Sequence, residues 1–347
     1  MNDHTRGTGG RCLATALRFA AAALTVAAVP VLVPVSASSA LPVSAGATQV
    51  PANAGDGSHI DHTVTIDSRR ATVYVYSAAM NRVIALDFIR AADTSVPRPT
   101  LYLLDGAEDG IGWDGRETSW ETKTDLIPFT ADKNVNVVTV LDGRYSYYTD
   151  WQADDPVLGR NKWTTFLTRE LPPIIDAAYG TSGRNAIAGV SMSATSALAL
   201  AEAAPGLYQA VGSFSGCAQT STDPGRRYVQ AVVASGGGNP WNIWGPDGSP
   251  GWVANDPSTD ANLARLRGTD LYISAGTGGR DATGGTPPSG GMLESVVEPC
   301  TRQLQASTTR LGIPATFQYV PGGQHSWPYW QRSLHAAWPE FARALGV

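Results

Sequence analysis

Hydrophobic and polar positions along the chain fall into two regimes. In Thr63–Asp67, Ala71–Tyr76 and Val83–Phe88 the residues alternate or are rich in β-branched and aromatic types, spaced as an antiparallel meander. After Pro97 and Pro99 the pattern changes to short, nearly continuous apolar runs: Leu101–Leu104, Val135–Leu141, Ala186–Val190, Val211–Phe214, Leu271–Ala275 and Phe317–Val320. Runs without alternation are what strands covered on both faces require. Helical spacing lies between them, most clearly over Trp163–Ala178, where Trp163, Phe166, Leu167, Leu171, Ile174 and Ile175 recur on one side. Pro172 and Pro173 interrupt that segment and leave its ends open. Strand and helix alternation predicts an α/β fold: a mostly parallel central sheet with antiparallel leading strands and helices on both faces.

Ahead of the meander, Arg6, Arg11 and Arg18 precede an apolar run from Phe19 to Val35, followed by small residues around Ser38-Ser39-Ala40 and Ala45-Gly46-Ala47. That order of basic, apolar and small residues reads as a secretory signal over residues 1–40, cleaved after Ala40 or Ala47. The alternative, a membrane anchor, fits less well because the run ends in prolines and small residues. Residues 41–58 read as a flexible leader, and 59–347 as a single domain large enough to bury a core. Two Gly/Pro-rich stretches, 236–251 and 276–291, are long for plain connections and read as functional loops.

A formal net charge of −5 with 16% charged residues leaves no basic stripe to track phosphates, which excludes nucleic acid as the expected partner. Of three cysteines, Cys12 lies in the signal. In an oxidising compartment Cys217 and Cys300 are expected to form one bridge, two buried free thiols being the alternative. Two cysteines are too few for a structural zinc site, and Gly276-Thr277-Gly278-Gly279 lacks the lysine that a phosphate loop needs, so no metal or cofactor is called for.

The chemistry centres on Gly189-Val190-Ser191-Met192-Ser193, between an apolar strand and a run of small helix-forming residues. A nucleophile elbow needs small residues on either side of its serine, because the strand-to-helix turn is crowded. Gly189 and Ser193 meet that need, and Ser191 is the candidate nucleophile. In this fold the order is serine, acid, histidine. His4 lies in the signal, and His59 and His62 precede the sheet. His325, in the loop after the last strand, is therefore the candidate base, while His335 falls in a helical stretch and reads as packing. The acid should follow Leu271–Ala275, where Asp281, Glu294 and Glu298 remain open and loop position alone makes Asp281 the default. Backbone N–H groups of Met192 and of Ala107, in the loop after Leu101–Leu104, are the expected oxyanion donors.

Taken together, these residues resemble the secreted mycolyltransferases of the antigen 85 complex. The shared strings are Leu101–Gly106, Tyr148-Thr149-Asp150-Trp151, Phe166–Pro172, Gly189–Ser193, Trp244-Gly245-Pro246, Asn255-Asp256-Pro257 and His325–Trp330. The resemblance implies an α/β-hydrolase fold and a Ser–Glu–His triad. The family's glutamate follows a Gly-Gly pair by nine residues, which selects Glu294 after Gly284-Gly285 over Asp281. It also implies substrate contacts from Asp105, Ser193, Ser326 and Trp327, and transfer of a mycolyl group between trehalose esters and to cell-wall arabinogalactan. The family's sugar-contacting arginine is replaced by Glu108, and its cysteine behind the glutamate by Ala275. A secreted carboxylesterase of the same fold is the second reading, and a non-catalytic wall-binding relative the third. Trp241, Trp244, Trp252, Trp327 and Trp330 are candidates to line an acyl or sugar path, with core packing as the plain alternative.

Overall fold

The computed structural model describes residues 54–108, 118–279 and 289–347. The expected signal and most of the leader, together with Asp281 and Gly284-Gly285, lie outside the described residues. The strands are β1 (His59–Thr65), β2 (Arg70–Ser77), β3 (Arg82–Ile89), β4 (Thr100–Leu104), β5 (Asn136–Val140), β6 (Asn185–Val190), β7 (Tyr208–Phe214), β8 (Asp270–Gly276) and β9 (Thr316–Val320). Among the described residues they form one nine-stranded sheet in the order β1-β2-β3-β5-β4-β6-β7-β8-β9. Pairing is antiparallel from β1 through β3 to β5 and parallel from β5 to β9. Every apolar run of the sequence finds its strand, with ends shifted by a few residues.

Neighbouring side chains on the central strands point to opposite faces, and both faces are dry. Tyr102 and Leu104 of β4 join Val138, Val140 and Ile187 in one core, whereas Leu101 and Leu103 join Val137, Ala186 and Ala188 in another. The first core is closed by helices α1 (Leu171–Tyr179), α2 (Met192–Ala203), α3 (Asp223–Ser235) and α4 (Ser289–Leu311). The second is closed mainly by α5 (Trp327–Leu345), through Leu334, Ala337, Phe341 and Leu345.

Pro172 and Pro173 do not end the helical segment as the sequence suggested. A π-helical turn over Phe166–Glu170 precedes α1, so the two prolines stand in the first turn of a new helix, where a missing N–H costs nothing. Gly180, in the left-handed region at φ 62°, ends it. Glu170, buried in the π turn, accepts hydrogen bonds from the Ser77 hydroxyl and the Ala79 N–H, tying this segment to the end of β2.

The chain leaves β4 for β5 on one side and reaches β6 on the other, so the loops after β4 and β6 diverge at the switch point of the sheet. Crevices at such points are where open α/β sheets bind ligands. Cys217, just beyond β7, is bonded to Cys300 of α4 across a sequence separation of 83. By loop-closure entropy a bridge of that span contributes about 4 kcal/mol. Replacing both cysteines by serine is expected to lower unfolding free energy by about 2–4 kcal/mol, read as a shift in the midpoint of a denaturant titration at unchanged slope.

Candidate active site

Ser191 is the residue at which β6 becomes α2, and its backbone is held at φ 56° and ψ −119°. A non-glycine residue at positive φ costs on the order of 1–3 kcal/mol and persists only where its surroundings over-determine it. Here the surroundings are specific. A Cβ on Gly189 would collide with the backbone carbonyl of Ser193, so no larger residue fits there. The Ser191 N–H donates to the Phe214 carbonyl at 2.9 Å. The Ser193 hydroxyl accepts from the Val190 N–H at 2.9 Å and lies within hydrogen-bonding distance of the Leu104 and Val190 carbonyls, at 2.9 and 3.0 Å. Serine in place of the commoner glycine thus laces β6, α2 and the end of β4 together. Its side chain, which the resemblance implies at the substrate, is fully buried.

His325 follows β9 by a tight turn, and its N–H donates to the Gly290 carbonyl in the first turn of α4. Its Nε2 lies 2.7 Å from Ser191 Oγ, and its Nδ1 lies 2.9 Å from Glu294 Oε1. Glu294 is wholly buried, and its second oxygen accepts the Gly276 N–H at 2.8 Å, at the end of β8. A carboxylate beside Nδ1 selects the tautomer with the proton there, leaving Nε2 to accept from the serine hydroxyl. The Trp330 ring packs edge-on against the imidazole with centroids 5.0 Å apart, fixing its plane. Ser191, His325 and Glu294 thus form one hydrogen-bonded chain of the kind that general-base activation of a serine needs. Glu298 pairs with Arg302 on the exposed side of α4, and His335 bonds Asp125 while stacking on Phe129. Neither reaches the serine.

Met192 is the first residue of α2, where backbone N–H groups have no partner inside the helix. Ala107, part-exposed after β4, anchors its loop by accepting the Tyr145 N–H at 3.1 Å. Ser326 lies part-exposed next to His325, at the start of α5. Two further residues that the resemblance implies at the substrate are buried. Asp105 is fully buried and accepts the Ser119 N–H, bracing the loop after β4. Trp327 is buried between Trp120 and Trp330, at centroid distances of 5.3 and 5.1 Å. Of the other candidate tryptophans, Trp244, Trp252 and Trp330 are buried and Trp241 is exposed.

Sequence reasoning missed Tyr228. Carried on α3, its phenol lies near enough to the Ser191 side chain to feel it. Burial pushes its pKa up, the Ser191 side chain pulls the other way, and the charge of Glu294 adds to the rise, so the phenol stays protonated. No motif marks it, since a tyrosine within a helix reads as packing.

The comparisons agree with this geometry. The Esterase family profile matches residues 77–341. The diacylglycerol acyltransferase/mycolyltransferase Ag85B of Mycobacterium intracellulare is 31% identical over 281 residues, covering 79% of this chain and 82% of its own length. Ag85A of Mycobacterium tuberculosis is 31% identical, covering 79% and 80%. Among solved structures, Mycobacterium tuberculosis MPT51 superposes with a TM-score of 0.69 at 24% identity, covering 80% of this chain and 100% of its own. An S-formylglutathione hydrolase from Agrobacterium tumefaciens gives 0.61 at 15% identity, covering 82% and 99%. The two superpositions establish the α/β-hydrolase fold, and the curated relatives establish more: this chain is an acyltransferase-class enzyme that belongs to the Esterase family and, within it, to the antigen 85 diacylglycerol acyltransferases/mycolyltransferases.

Proposed function

We propose that the protein is a secreted acyltransferase that moves a mycolyl group between trehalose esters and to cell-wall arabinogalactan, through an acyl-enzyme on Ser191. The observation that carries this reading is the unbroken chain from Ser191 Oγ through the His325 ring to the doubly hydrogen-bonded Glu294. In the first half-reaction Ser191 Oγ attacks the ester carbonyl as its proton passes to His325 Nε2. The oxyanion sits against the Met192 and Ala107 N–H groups, and the leaving sugar oxygen takes the proton from His325. In the second, His325 deprotonates an incoming sugar hydroxyl, which attacks the acyl-enzyme and releases Ser191. Glu294 holds the ring and offsets the imidazolium charge in both steps. The Tyr228 phenol, beside the same oxygen, orients the Ser191 hydroxyl.

The sugar end is the part of this reading that one residue qualifies. Glu108, exposed in the loop after β4, puts a negative charge where the family has an arginine. That reversal favours a second reading in which water resolves the acyl-enzyme and the enzyme acts as a carboxylesterase on lipid or sugar esters. Export is supported by the basic, apolar and small-residue order of the first forty residues and by the bridge between Cys217 and Cys300. No helix among the described residues is long and apolar enough to cross a membrane.

Incubating the mature protein with trehalose monomycolate separates the readings. Trehalose dimycolate is the expected product. Free mycolic acid alone would assign the esterase, and no turnover with no fluorophosphonate labelling of Ser191 would overturn both. Glu294→Gln is expected to lower kcat by about 10⁴-fold, by analogy with removal of the orienting carboxylate in other triads, whereas Asp281→Asn leaves it nearly unchanged. The reverse ranking would reassign the acid. Tyr228→Phe should lower kcat by about tenfold, the worth of one hydrogen bond near 1.4 kcal/mol, with the melting temperature retained.

A further inference from the structure

Three of the strings shared with the family take no part in acyl transfer, and they converge on one place. Tyr148-Thr149, Trp244 and Asn255 line a cavity of about 80 Å³ along the flank of α2. The α2 side of the cavity runs from Thr195, one turn past Ser191, to Glu202 in the last turn, about 16 Å along the axis from Ser191. At roughly 10–15 Å³ per water, that space holds several waters or one small polar molecule.

Its chemistry is set by Glu202. Although 96% buried by the measure of its 4% exposure, the side chain has an oxygen, Oε1, with no hydrogen-bond partner. An orphaned buried carboxyl oxygen costs on the order of 1–3 kcal/mol, which a ligand hydroxyl would recover. Burial, reinforced by the charge of Asp256 and only partly offset by Arg265, pushes this carboxyl well above the usual range, toward an acid that both donates and accepts. The buried Tyr147 hydroxyl on the same lining likewise lacks a partner. Asn262 and the exposed Arg265 supply polar groups at the rim, and the Trp244 indole an apolar wall.

Charge selects among ligands. A cation would meet Arg265, and an anion would meet the field of Asp256 that already disfavours ionisation of Glu202. A neutral molecule rich in hydroxyls meets neither penalty and satisfies the orphaned Glu202 oxygen. We propose that this cavity is a binding site for a neutral polyol no larger than one sugar ring, with Glu202 at its floor, Trp244 as its wall and Asn262 and Arg265 at its mouth. The site does not depend on the chemistry of Ser191, so it stands or falls separately from the acyltransferase reading.

The test uses the full mature protein carrying Ser191→Ala, with D-glucose as the probe and saturation-transfer NMR as the readout. Saturable glucose binding is expected, weakened at least tenfold by Glu202→Leu and by Arg265→Ala, with glucuronate and glucosamine each binding at least tenfold more weakly than glucose. Arg265 is exposed, so its variant reports on the site even where Glu202→Leu perturbs folding. Absence of saturation, unchanged affinity in Arg265→Ala, or equal binding of either charged sugar would overturn the proposal.

Discussion

The site is organised around one strained residue. Ser191 lies at a backbone angle that an L-residue ordinarily avoids, and three groups make the alternative worse: the bare Cα of Gly189, the Phe214 carbonyl and the buried Ser193 hydroxyl. Because the turn is forced there, Ser191 stands where β6 gives way to α2, next to β4, the strand at which the order of the sheet reverses. The imidazole meets the serine because β8 and β9 lie beyond β7 in the sheet, and the helix after β8 and the loop after β9 deliver Glu294 and His325. Relaxing the elbow would move the one atom that the rest of the arrangement is built to meet.

How far the sequence discloses this follows from what each feature depends on. Strands of the parallel part announce themselves as unbroken apolar runs, which placed β4–β9, while alternation placed the antiparallel β1–β3. Ser191 and His325 were legible because their positions relative to strands carry the information: one where a strand yields to a helix, the other just after the last strand. Glu294 was not legible from residue type, since a glutamate on a helix reads as a solvated charge. Only family spacing singled it out, and its burial arises because the first turns of α4 lie against the end of β8.

Ser193, Asp105 and Trp327, which the resemblance implies at the substrate, are buried, and a string tells which residues are near a site but not which way they face. A short polar side chain beside a tight turn finds the nearest backbone group first, as the hydroxyl of Ser193 and the carboxylate of Asp105 both do. The π turn before α1 was missed for a related reason: a helix that changes hydrogen-bond pattern keeps nearly the same apolar spacing, so two prolines read as a break when they mark only a change of pitch.

The link between Cys217 and Cys300 joins two parts of the fold that bear on opposite ends of the hydrogen-bonded chain. Cys217 adjoins α2, whose Thr195 hydroxyl donates to the Cys217 carbonyl, and Cys300 lies on the helix that carries Glu294. A covalent anchor six positions beyond Glu294 therefore holds the helix that carries it. The consequence is mechanical: the helix that carries Glu294 is tied covalently to the segment just beyond β7, so a shift of that helix relative to the sheet is opposed by a bond as well as by packing.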